Sequence, residues 1–141
     1  MSTQQVLLIV LAIIIIGISI AIAMLIFHDQ SLAASREGLT NDLLNMSMRA
    51  RQYYQRPKNW GGGEKSFRGL TMKYMTSHPR NSNGSYSVVS AQDLKVTLRG
   101  IAMIATSKGV RSVVTMEVFP DSVFVTTSEI RSVPRKFPVY D

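Results

Sequence analysis

Residues 6–27, VLLIVLAIIIIGISIAIAMLIF, carry no charge, and Gly17 and Ser19 are their small or polar interruptions. Few folds accept such a run. As a helix its 22 residues span about 33 Å at roughly 1.5 Å per residue, which matches a hydrocarbon core about 30 Å thick. The many Ile and Val residues would suggest a strand in a shorter run. At this length, apolar on every side, a membrane helix is the better reading. Val6, Leu7, Leu8, Ile9, Leu11, Ile14, Ile15, Gly17, Ile18, Ala21, Leu25 and Phe27 are the positions expected to face lipid or copies of the same helix. The opening MSTQQ lacks the basic start of a signal peptide, and the run is longer than the usual apolar core of one, so the segment is expected to be retained. Arg36 is the one Lys or Arg near either end, so the positive-inside rule assigns no orientation.

Composition removes several function classes. The 141 residues contain no cysteine, which excludes disulfides, iron–sulfur clusters, c-type haem and thiolate zinc sites. Two histidines, His28 and His78, do not make a histidine-rich metal site. The acids are scattered without an obvious pair, and neither a phosphate loop nor GxSxG nor a supported SxxK occurs. No enzymatic activity, cofactor or small-molecule substrate is expected.

Beyond Phe27 the greasiness narrows to a stripe. Leu32, Leu39, Leu43, Met46, Ala50 and Tyr53 recur at the spacing of one helical face, with Arg36, Glu37, Asn41, Asn45 and Arg49 on others. Nothing between Phe27 and Leu32 demands termination. One helix over about residues 3–55, near 80 Å long by the same rise, is therefore expected. Arg56-Pro57 must end it, since the residue before proline is pushed out of the α region. Gly38 is a candidate soft point, and Gly61-Gly62-Gly63 reads as a flexible hinge.

Strand signals follow at 85–90, 94–104, 110–119 and 122–130, rich in Val, Ile, Thr, Tyr and Phe and separated by turn-like breaks. Short strands with short turns imply an antiparallel meander. A head of this size has a marginal core of its own. Packing one sheet face onto Leu39, Leu43, Met46, Ala50 and Tyr53 would complete that core and hide the stripe. The expected fold is α+β, organised as a spine helix over 1–55, a Gly-rich linker over 56–66 and a β-rich head over 67–141.

A long N-terminal helix, apolar in its first half and amphipathic in its second, followed by a small antiparallel head, resembles a type IV pilin or pseudopilin. The resemblance covers the whole chain in layout and residues 6–27 in sequence. This chain departs from typical members in lacking a basic leader, in having Gln5 where a glutamate would be sought, and in lacking the C-terminal cysteine pair. The family would imply a helical polymer cored by the greasy helices and drawn from the inner membrane onto the cell surface. Its helix often loosens near a glycine, and Gly17 is the candidate.

Elementary physics points the same way. In water, hiding the rod at roughly 25 cal/mol per Å² would make a bundle of copies nearly irreversible. Gly17 and Ala21, four apart, offer a close-approach pair. The expected function is a structural subunit of a pilus-like filament, with itself as principal partner and the membrane as partner before assembly. The alternative is a single-pass anchored protein whose head is an interaction module in an envelope complex.

The net charge is +7, and Arg49, Arg51, Arg56, Lys58, Lys65, Arg68, Lys73 and Arg80 cluster among Tyr53, Tyr54, Trp60, Phe67 and Tyr74. Solvated charges around aromatics that close the core are the first reading. Repeated along a polymer, they would add avidity for anionic surfaces; nucleic acid is the weaker reading. Two sequons occur, at Asn45 and at Asn83, the latter in an expected turn and so the better acceptor. The tail 134–141, with two prolines and Phe137, Val139 and Tyr140, is expected to run extended and dock on a sheet edge or a neighbour.

Overall fold

A computed structural model describes residues 2–106 and 108–131 of the chain. The tail 134–141 lies outside the described residues. The fold is α+β: one long helix, α1 (Thr3–Gln55), packs against a four-stranded antiparallel sheet. Between them come a 3-10 turn (Lys58–Trp60) and a one-turn helix, α2 (Met72–Met75). The sheet comprises β1 (Gly84–Ala91), β2 (Val96–Ala105), β3 (Arg111–Val118) and β4 (Val123–Ile130), in the order β1-β2-β3-β4. Every neighbour is also the next strand in sequence, which is the meander that short turns favour.

The chain divides into two compact units, Met1–Ala33 and Ala34–Asp141. Within the first, every described residue from Thr3 to Gln30 is both helical and exposed. The second holds the core. Leu39, Leu43, Met46 and Ala50 are buried against Tyr86, Val96, Leu98, Val114, Met116 and Val118. Alternation explains the sheet's part: Val96, Leu98, Gly100 and Ala102 of β2 and Ser112, Val114, Met116 and Val118 of β3 are all buried, each set at the two-residue period of one face.

Leu39 enters this core where two strands lack side chains. A Cβ on Gly84 would stand 2.5 Å from Leu39 Cδ2 and 2.3 Å from the Ile101 carbonyl oxygen; one on Gly100 would stand 3.2 Å from Leu39 Cδ2. Gly84 is therefore needed for this close approach, and at Gly100 a methyl would fit only if Leu39 and Tyr86 gave way by a few tenths of an ångström.

The stretch 67–75, assigned by its sequence to the β-rich head, contains α2 and no strand. It buries Phe67, one of the aromatics expected to close the core, together with Leu70 and Met75, whereas Trp60 and Tyr74 of the same group are exposed. The phenylalanine stacks at 4.8 Å on Tyr54 of the helix.

The triple glycine also differs from the expected hinge. Gly63 N–H donates to the Tyr53 carbonyl, Glu64 N–H to that of Arg56 and Lys65 N–H to that of Tyr54, at 2.7–3.0 Å. These donors satisfy the carbonyls left open at the end of α1. A Cβ on Gly62 would stand 2.1 Å from the Arg56 carbonyl oxygen, so the glycines are there to let the chain fold back onto the helix end. The segment is a cap.

Candidate functional site

Two surfaces carry the functional argument: the apolar half of α1, and the side of its second half that grips the head. Val6, Leu7, Leu8, Ile9, Leu11, Ile14, Ile15, Gly17, Ile18, Ala21, Leu25 and Phe27 are all exposed. The large side chains among them range from 46% exposed at Val6 to 72% at Phe27. α1 is the one helix among the described residues long and apolar enough to cross a membrane, and it lies near the N-terminus. Its hydroxyls are turned inward on the backbone: Ser19 Oγ donates to the Ile15 carbonyl at 2.8 Å and Ser31 Oγ to that of Phe27 at 2.9 Å. That i to i−4 bond hides a polar group from an apolar medium at little cost to the helix. Around Gly17 a Cβ would meet nothing within 4 Å, so no contact within the chain explains this glycine.

In the second half, Leu39, Leu43, Met46 and Ala50 lie in the core, and Tyr53 is partly buried against it. The Tyr53 hydroxyl donates to the Arg68 carbonyl at 3.0 Å, and its ring stands 4.9 Å from that of Tyr74. Polar ties that the apolar spacing did not reveal flank this stripe. Asp42 Oδ2 accepts from Asn81 Nδ2 at 2.8 Å, from Asn83 Nδ2 at 2.9 Å and from the Tyr86 hydroxyl. Burial pushes the Asp42 carboxyl up, but the bonds from Tyr86, Asn83 and Asn81 outweigh it and hold the group below its ordinary value. Burial pushes the Tyr86 phenol up, and the hydrogen bond it gives to Asp42 adds to the rise.

Arg36 reaches two strands at once, donating from Nε to Ser112 Oγ at 2.8 Å and pairing through Nη2 with Glu129 at 2.6 Å. Arg49 donates to the Met75 carbonyl. Asp42 falls three residues after Leu39 and four before Met46, the same-face spacing, so a carboxylate flanking an apolar stripe was the available signal. Its partners, some forty residues on, left no local trace.

The sequons fall in different settings. Asn45 is exposed on α1. Asn83 is half-buried, and its amide nitrogen, the atom a glycan would modify, is engaged by Asp42. Gly38, read as a soft point, faces this asparagine: a Cβ there would stand 2.8 Å from Asn83 Cγ. Among the described residues, no group of three His, Cys, Asp or Glu side chains could hold a metal ion.

Comparison of the chain with protein-family models, with curated proteins and with solved structures finds no match.

Proposed function

We propose that this chain is a structural subunit of a pilus-like extracellular filament, polymerising through the apolar half of α1 after residence in a membrane. One observation carries the reading: an uncharged, apolar helix surface, exposed on all sides, continues into a helix half that is committed to a folded head. Such a surface is stable in lipid or against copies of itself. In lipid, tails are as apolar as leucine, so association there depends on close packing at small residues such as Gly17 and Ala21. In water, burial of the same surface drives association outright. The head then supplies the polar exterior, and its basic residues, repeated along the polymer, favour anionic surfaces.

A second reading is favoured by the length of the apolar run, which suits a single membrane crossing: an anchored protein whose head docks in an envelope complex. Fractionation separates the two. Shearing source cells without detergent and sedimenting the supernatant is expected to recover the chain in polymers, identified by intact mass. Recovery only from membranes, and only with detergent, would favour the anchor and remove the filament.

A further inference from the structure

The exposed face of the last two turns of α1 carries a groove that the apolar reading leaves unused. It has a volume of about 200 Å³ and is lined by Arg49, Gln52, Tyr53, Arg56 and Tyr74. Arg49 and Gln52 lie on the last turns of α1, and Arg56 directly follows its end. The walls are rich in donors and poor in acceptors. Two arginines, a glutamine and two tyrosines line the groove, all of them carrying side-chain donors, and no carboxylate lines it. Among the described residues Arg49 and Arg56, like most Lys and Arg side chains of this unit, have no carboxylate within ion-pair distance; Arg36, Lys58, Arg68 and Lys95 have one.

The groove is also fixed in place. Arg49 is tethered through one guanidinium nitrogen to the Met75 carbonyl. Tyr53 is held by its bond to Arg68 and by its ring contact with Tyr74. A helix C-terminus ordinarily repels anions, because its last carbonyls are open. Here the carbonyls of Gln52, Tyr53, Tyr54 and Arg56 all accept backbone N–H groups, so that repulsion is largely cancelled.

We infer that this groove is a binding site for a phosphate-class oxyanion, held between the Arg49 and Arg56 guanidiniums with Gln52 and Tyr74 as further donors. A tetrahedral oxyanion is all acceptor and can occupy two guanidinium forks at once; a single carboxylate is filled by one. The occupant is the free ion: Arg49 lies about 33 Å beyond Phe27 along α1, away from the segment read as membrane-embedded. This site does not rest on the filament reading: it belongs to the head unit whether or not the chain polymerises.

The test uses the full chain, ¹⁵N-labelled, in maltoside micelles, which carry no phosphate. Inorganic phosphate at neutral pH should shift the Arg49 and Arg56 Nε–H resonances saturably, while chloride at equal ionic strength leaves them in place. Arg56→Gln, at an exposed position, should weaken the phosphate response about tenfold or more, as expected when one of two charge-assisted forks is lost. Arg99→Gln, at an exposed strand position, should leave it unchanged. Equal shifts with chloride, an acetate response matching phosphate mole for mole, or an undiminished response in Arg56→Gln would each overturn the assignment.

Discussion

The two halves of α1 have the same secondary structure and opposite relations to the rest of the chain. From Leu39 to Ala50 the helix buries one stripe, Leu39, Leu43, Met46 and Ala50, against partners the chain itself supplies, and leaves its other side exposed. From Val6 to Phe27 it is apolar on every side, and not one described side chain is buried. Asp42, Arg36 and Arg49 bond across to the head, a kind of tie that Ser19 and Ser31 do not make: like Thr40 and Ser47, they bond back to carbonyls of their own helix. A helix with a partner in its own chain needs only a stripe. One that is greasy all round has to find its partner elsewhere, and in the proposal above that partner is lipid first and other copies afterwards.

Breaking the contrast has its largest effect at the stripe. Leu43→Ala should destabilise the head by about 2–5 kcal/mol in chemical denaturation, because Leu43 is fully buried. Ile14→Ala, in the exposed half, should leave head stability within about 0.5 kcal/mol of the parent. Next comes Gly84→Ala, whose new methyl meets the Ile101 carbonyl and Leu39; it should cost about 1–3 kcal/mol by the same measurement.

Asp42→Asn should cost about 1.5–3 kcal/mol, the usual range for hydrogen bonds to a charged group, and it has a pH signature. The Asp42 carboxyl is held below its ordinary value of 3.8, so its contribution is present above that pH and is lost as the pH falls through the lower folded value. Tyr86 acts in the opposite sense. With its phenol raised above the ordinary 10.0, its contribution is complete below pH 10 and declines above it. Head stability measured against pH should therefore fall at both extremes, and Asp42→Asn should flatten the acid limb.

Arg36→Ala should cost no more than about 1 kcal/mol, because its side chain and that of Glu129 are 44% and 55% exposed. Ser35→Ala should be neutral or stabilising by a few tenths to about 1 kcal/mol, since its buried hydroxyl oxygen has no partner among the described residues.

Much of this architecture was legible in the sequence because it rests on local signals. Helix bounds followed from an unbroken apolar run, a stripe at helical spacing and Arg56-Pro57; the strands fell within a residue or two of their β-branched runs. What stayed hidden depends on contacts distant in sequence. Asp42 gave no sign of Tyr86, 44 residues away, and nothing local marked Leu70 and Met75 as core. Gly61–Gly63 misled for another reason. Read alone, three glycines are flexible, but the open carbonyls of a helix end recruit backbone donors, and glycine is what lets the chain come close enough to provide them.

The central claim is that the exposed half of α1 is buried by copies of itself outside the bilayer. Electron cryomicroscopy of polymers released by shearing, without detergent, tests it most directly. The account predicts a lipid-free core of helices packed about 8–10 Å apart, formed by residues 6–27, with the β-rich heads outside. Finding this chain only in membranes, with no polymer containing it in the sheared fraction, would contradict the account.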